Sequence, residues 1–244
     1  MSSQSSAGFT PSPHAPRWWV HLFVTAGCAT VCAVAAMPDG LGFTSRVTPG
    51  LIASHARQFG DDARQRIAAW VEFSRNQKGA RRVAGPPDMS GAELDALRSV
   101  NTYFNRIPFL PDSEHWAVED YWATPAEMSS SHGGDCEDYS IAKYFLLKEL
   151  GVPVERLRIT YVKAVRLNQA HMVLAYYPSP GAEPLILDNL DDRVRPASER
   201  EDLVPVYSFN DDDVVLVRDS RRSNPLQIRA WRDLLQKLEA EARL

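Results

Sequence analysis

The chain has 244 residues, a formal net charge of −4 and 44% hydrophobic residues, which suits one ordinary globular domain with terminal additions. Its charges are well mixed, and no Lys/Arg block is dense enough for a nucleic-acid footprint. Arg81-Arg82 and the group Arg218, Arg221 and Arg222 read as solvated surface.

Met1 to Pro16 is Ser/Pro-rich without Lys or Arg, and Arg17 then precedes an apolar run from Trp18 to Met37 broken by His21. A positive flank, an apolar stretch and small residues near its end make residues 1–37 an export signal, with Ala33-Val34-Ala35 as an A-x-A cleavage site. The alternative is an uncleaved anchor, since the run is nearly long enough to span a bilayer. Residues 38–244 then form one soluble domain outside the cytoplasm. Cys28 and Cys32 lie within the export segment, so cleavage leaves Cys136 as the single cysteine. An exported protein with one unpaired thiol has a candidate reactive group, although a free cysteine also serves as a small buried apolar residue.

Leu51 to Phe73 has helical spacing, with Ile52, Phe59, Ile67, Trp70 and Val71 directed inward. Gly79 to Ser90 reads as a loop. Ser90 and Glu93 form a capping box that opens a helix carrying Leu94, Leu97, Val100, Tyr103 and Phe104. Ile107 to Ser131, with three prolines and Trp116, Tyr121 and Trp122, reads as ordered but irregular; its aromatics either line a cleft or pack. Cys136 to Leu150 is the clearest helix, broad in its apolar face and stopped by Gly151 and Pro153. Period-two segments follow at 157–161, 171–177, 185–188, 204–209 and 214–217. Leu226 to Leu244 closes the chain as a charged amphipathic helix. Helices first and consecutive strands afterwards predict an α+β fold, with an antiparallel sheet packed on the central helix.

Chemistry concentrates at Gly133-Gly134-Asp135-Cys136-Glu137-Asp138. A helix start offers unpaired N–H groups and partial positive charge, which favour a thiolate and can receive an oxyanion. The two glycines would let a substrate approach the backbone. A thiol nucleophile needs a base steadied by a third group. His171 begins one predicted strand and Asp188 ends the next. An antiparallel register with Ala175 opposite Pro184 and Val173 opposite Ile186 would set His171 opposite Asp188. His132 is the second candidate base. His55 and His115 have no acidic or thiol partner in this reading. Scattered histidines and one cysteine argue against zinc.

Asp135, Glu137 and Asp138 would raise the thiol pKa. They either ligate a hard cation such as Ca²⁺ or cap the helix. Asp211-Asp212-Asp213 reads as a solvated turn rather than a second cation site.

The run from Gly133 to Phe145, His-Met-Val-Leu from His171 and Leu-Asp-Asn from Leu187 resemble the bacterial transglutaminase-like cysteine proteinases of the LapG type. Tyr121 to Glu127 and Tyr207 to Asn210 fit as well, and the resemblance covers roughly residues 51–217. It implies a papain-like/transglutaminase-like fold and a periplasmic cysteine endopeptidase with Cys136 as nucleophile, His171 as base and Asp188 as orienting carboxylate. It further implies calcium dependence with Asp135, Glu137 and Asp138 as ligands. The substrate would be the N-terminal region of a large surface adhesin, whose release disperses biofilm. The inhibitor would be the periplasmic domain of an inner-membrane cyclic-di-GMP receptor. Acyl transfer to an amine uses the same three residues, and a calcium-sensing binding module of this fold is the non-enzymatic alternative.

Overall fold

The computed structural model describes Thr44, residues 47–84 and residues 91–244. The export segment, 1–37, and Ser90 of the capping box lie outside the described residues. Among the described residues no helix is long and apolar enough to cross a membrane.

The first predicted helix is two. Helix α1 (Pro49–Phe59) starts on Thr48, whose side chain accepts from the Leu51 N–H at 3.0 Å. It ends at Gly60, which takes φ +84°, and α2 (Asp62–Ala84) begins beyond the break. Helix α2 runs through Gly79, so the loop expected from that residue starts later. A single glycine near a helix end costs about 1 kcal/mol, too little to stop an otherwise helical run. Helix α3 (Gly91–Asn105) buries Ala96, Leu97, Val100 and Phe104.

The segment expected to be irregular holds two short helices, α4 (Asp112–His115) and α5 (Pro125–Ser131). The second opens on a full capping box between Thr124 and Glu127, with Pro125 at the first helical position. Helix α6 (Cys136–Glu149) is buried along Asp138 to Leu147, so it runs through the core rather than over it.

The strands are β1 (Leu157–Ala164), β2 (Gln169–Tyr176), β3 (Leu185–Leu187), β4 (Arg195–Pro196), β5 (Leu203–Phe209), β6 (Val214–Leu216) and β7 (Arg222–Ser223). They form one seven-stranded sheet in the order β4-β3-β2-β1-β5-β6-β7, and every pair is antiparallel. Helix α7 (Arg229–Glu241) follows and packs Trp231 and Leu234 into the core. Alternation along β2 sends Met172, Leu174 and Tyr176 to the large core with α6, and Val173 and Ala175 to a smaller cluster with Val162, Ile186 and Leu203. The α+β expectation is met.

The assumed register of β2 on β3 is not. Ala175 pairs with Ile186 and Leu174 with Leu187, a shift of two residues from the pairing drawn from the sequence. The connection at 177–184 is long enough to accept either register. A shift of two keeps every side chain on its face, so His171 and Asp188 remain neighbours, on a diagonal instead of directly across.

Candidate active site

Cys136 is the first residue of α6, where the helix leaves the loop Gly133-Gly134-Asp135. That loop is clamped. Gly134 bridges Phe109, and its carbonyl accepts from the Leu110 N–H at 2.9 Å. Both glycines are buried. A Cβ on Gly133 would stand 2.4 Å from Leu110 Cδ1, and one on Gly134 would stand 2.7 Å from Asp138 Oδ2. The glycines therefore serve close internal packing at the nucleophile loop, not the substrate approach first read from them.

Helix α6 packs on β2, the strand that carries His171. The Met172 backbone N–H, next to His171, faces the Cys136 thiol. His171 and Asp188 are both buried, and imidazole Nε2 lies 2.8 Å from Asp188 Oδ1. Burial alone would raise the Asp188 pKa, but the His171 hydrogen bond and charge, the Arg200 guanidinium and the Leu190 N–H together hold it well below the usual carboxylate range. An ionised carboxylate only accepts, so His171 donates from Nε2 and leaves Nδ1 as the basic nitrogen. Asp188 is fully engaged: Oδ1 also accepts from the Leu190 N–H at 3.0 Å, and Oδ2 accepts from Arg200 Nη2 at 2.6 Å. Asn105 donates to the Asp188 carbonyl at 2.9 Å, and Asn101 holds the carbonyls of Asp191 and Asp192. Helix α3 thus fixes the loop that presents Asp188. Beneath it, buried Lys143 of α6 is lowered to about 7 by desolvation, against the pull of Asp188 and Asp192.

On the other side of Cys136 the charges do not balance. The thiol donates to Glu137 Oε2 at 3.0 Å. Its pKa is pushed well up, by burial first and then by Glu137 and Asp135. Ligand-type atoms lie within 4.8 Å of one another in three overlapping groups: Asp135, Cys136 and Glu137; Asp112, Asp120 and Glu137; Asp112, Asp135 and Asp138. Burial and mutual repulsion raise Asp135 and Asp138, and burial raises Glu137. Asp112 is pushed to about 6 by burial, with Asp135 and Asp120 adding and the Tyr121 N–H opposing.

Asp112 Oδ1 and Asp135 Oδ1 are buried without a hydrogen-bond partner. Carboxylate oxygens converging with no donor between them fit a hard divalent cation. Asp138 differs from the others: its oxygens accept from the Ala123 N–H at 2.7 Å and the Asp135 N–H at 3.2 Å. It caps the helix, the second of the two roles read from the sequence, and also belongs to one of the three acidic groups.

Asp112 and Asp120 escaped the sequence reading because nothing periodic marks their segment. The parallel bridge of Phe109 to Gly134 brings that segment to the cysteine loop. His132 is exposed, takes φ 60° and closes α5 as a left-handed cap, away from the base position. His55, expected to lack an acidic partner, is buried with Nδ1 2.5 Å from Ser130 Oγ and Nε2 3.6 Å from Glu241. His115 pairs with Ser131 Oγ at 2.8 Å. Trp116, Tyr121 and Trp122 pack: Trp116 lies against Tyr121, and Trp122 stacks on Phe209. The Asp211–Asp213 turn is braced by Lys148, Arg158 and Arg222, and lies outside the three acidic groups.

A family model described as bacterial transglutaminase-like cysteine proteinase BTLCP matches residues 61–203. Among solved structures, EGTA-treated Legionella pneumophila LapG is 38% identical, with a TM-score of 0.66 over 79% of this chain and 98% of its own. The calcium-bound form of Legionella pneumophila LapG is 37% identical, with a TM-score of 0.62 over 79% of this chain and 99% of its own. A comparison with curated proteins finds no match.

Proposed function

This chain belongs to the bacterial transglutaminase-like cysteine proteinases, and from that premise we propose that it is a calcium-dependent periplasmic endopeptidase acting on the N-terminal region of a large surface adhesin. The single observation that carries the chemistry is the buried 2.8 Å bond between His171 and Asp188 beside the helix that starts at Cys136.

In this reading the Cys136 thiol passes its proton to His171 Nδ1, and the sulfur attacks the scissile carbonyl. The oxyanion is received at the start of α6, with the Cys136 backbone N–H as the candidate donor. His171 then gives its proton to the departing amine. Water, deprotonated by the same imidazole, hydrolyses the thioester. Asp188 holds the ring in the Nε2–H tautomer and stabilises the imidazolium.

The thiol as placed is bonded to Glu137 and surrounded by like charge. Asp135 and Glu137, with Asp112, Asp120 and Asp138 around them, are the residues that would hold calcium. When bound, the ion supplies positive charge that offsets these carboxylates and competes with the thiol for Glu137. Support comes from the orphaned oxygens of Asp112 and Asp135, and from a related protease that binds calcium in one solved form.

Adhesin release would disperse biofilm, and the periplasmic domain of an inner-membrane cyclic-di-GMP receptor would sequester the enzyme. Both belong to the proposal.

The test is cleavage of a recombinant adhesin N-terminal fragment by the wild type and Cys136→Ala, with calcium or with chelator. Cleavage by wild type in calcium alone is expected. Equal cleavage by Cys136→Ala removes the nucleophile assignment, and cleavage that persists in chelator removes the metal. Adding the receptor's periplasmic domain should suppress cleavage, and no effect would remove that partner.

A further inference from the structure

We propose that Arg200 is a positioning residue of the active site: it locks the Asp188 carboxylate in place and thereby sets the tautomer and orientation of His171. The inference rests on the assignment of His171 and Asp188 under the proposed function, and it adds a fourth member that the sequence motif does not contain.

Arg200 lies just beyond a 3-10 turn, Ala197–Glu199, whose Ala197 N–H is held by the Pro184 carbonyl at 3.0 Å. Its residue exposure is 3%, although it belongs to the run Glu199-Arg200-Glu201-Asp202. A guanidinium buried to this degree needs charged partners. It has two. Nη2 donates to Asp188 Oδ2 at 2.6 Å, while Nε and Nη2 reach the two oxygens of Asp202, each at 3.1 Å. The planar fork is therefore gripped from the Asp202 side and presses one N–H onto the catalytic carboxylate, a geometry that lysine cannot reproduce.

Asp188 Oδ2 takes Arg200, and Oδ1 takes His171 and the Leu190 N–H. Each oxygen is assigned to one side, so the carboxylate cannot rotate without breaking a charged hydrogen bond. The groups acting on Asp188 are His171 from β2, Lys143 from α6, the Leu190 N–H of its own loop and Arg200. Of the two cations that do not belong to the triad, only Arg200 makes a direct ion pair with Asp188. Asp202 is the outer anchor of the same chain of contacts. Arg200 Nη1 is buried without a partner, so the guanidinium is held through Nε and Nη2, and the link to Asp188 runs through Nη2.

The experiment compares the whole chain as wild type, Arg200→Lys, Arg200→Met, Asp202→Asn and His171→Ala, in calcium. Two readouts are needed. Imidazole nitrogen NMR reports the His171 tautomer, with His171→Ala identifying its signals. Alkylation by iodoacetamide, followed at the Cys136 peptide by mass spectrometry, reports thiol reactivity without a substrate. Wild type is expected to show the single Nε2–H tautomer.

Arg200→Met is expected to mix tautomers and slow alkylation about tenfold or more, because an unlocked carboxylate no longer selects one ring nitrogen. Arg200→Lys should recover part of both signals, and Asp202→Asn should show the weaker form of the same defect. A purely structural role would lower the melting temperature and leave the tautomer unchanged. Arg200→Met that folds with a wild-type tautomer and alkylation rate overturns the proposal. Should that variant not fold, wild-type signatures in both Arg200→Lys and Asp202→Asn overturn it. Failure of the underlying assignment looks different, since His171→Ala would then alkylate at the wild-type rate.

Discussion

The two flanks of the helix that begins at Cys136 are built on opposite principles. Toward β2 and β3, the acceptors of Asp188 are all met: His171, Arg200 and the Leu190 N–H satisfy the carboxyl group, and Asn105 meets its carbonyl. Toward the loop at 109–120, carboxylates converge with two oxygens unpartnered and their pKa values raised. On the first flank the Asp188 carboxylate is satisfied within the chain itself, although Arg200 Nη1 and Asn105 Oδ1 around it are buried without a partner. The other has the form of a site whose charge must be balanced from outside. In the proposed mechanism, the contrast means that the base and its orienting acid are preformed, whereas the nucleophile is the element a cation would free.

The largest effect is expected from breaking the first flank. Asp188→Asn should lower cleavage of the adhesin fragment by about 10⁴-fold, since the amide can hold the wrong tautomer of His171. It should also destabilise the fold by about 1–3 kcal/mol, because Arg200 is left with Asp202 as its only anion. Cleavage rates and urea unfolding check the two parts separately. Unchanged stability with lost activity would mean that Arg200 reorganises readily.

A smaller but more discriminating effect is expected from the incomplete flank. In chelator, Asp112→Asn should stabilise the protein at neutral pH by on the order of 1 kcal/mol, because it removes a buried repelled charge. The sign follows from its pKa of about 6, raised from 3.8: this group's contribution is full below pH 4 and is lost as pH rises through 6. In calcium the order should reverse. Wild type gains about 2.7 kcal/mol when calcium stands at one hundred times its Kd, and the variant needs about tenfold more calcium for the same gain. Unfolding midpoints measured with and without calcium should therefore cross. Parallel shifts would place Asp112 outside the ligand set.

The same contrast decides what was legible in the sequence. Cys136 and His171 could be found because each sits on a strongly patterned element and Asp188 directly follows one, and the pattern of a strand survives even a wrong register. The shift of two residues between β2 and β3 kept both side chains on one face, so a mistaken pairing still led to the right neighbours. Asp112 and Asp120 were illegible because they reach the site through one backbone bridge in a segment without periodicity. Arg200 was hidden by its company, since a Glu-Arg-Glu-Asp run reads as solvated surface while the fold buries its second member. The glycines before Cys136 were visible but misread: their lack of a Cβ serves contact with Leu110 and Asp138.

The smallest effect tests whether unpartnered buried carboxylates always mark a metal here. Glu241 on α7 is half-buried, accepts from the Thr124 hydroxyl at 2.5 Å and has a buried Oε2 without a partner. Burial raises it to about 8, with Glu127 adding, and with the Thr124 bond and Lys237 opposing. It lies outside every acidic group that could hold a cation among the described residues, so it should be satisfied by a proton instead. Its folded pKa exceeds the ordinary 4.5. Its contribution to stability is therefore full below that value, falls as pH rises and is exhausted above 8. His55, 3.6 Å away and lowered by burial, acts in the opposite sense, but only below its ordinary value of 6.5. Lys143, lowered to about 7, adds the opposite slope above pH 7 in any variant that keeps it, so the Glu241 slope is read as the difference between wild type and Glu241→Gln. Between pH 7 and 8 wild type should lose about 1 kcal/mol relative to Glu241→Gln. Calcium should leave this slope unchanged while it shifts the one due to Asp112. A calcium-sensitive slope at Glu241 would mean that the two buried acids are coupled through α5, and that the incomplete flank extends further into the core than its geometry shows.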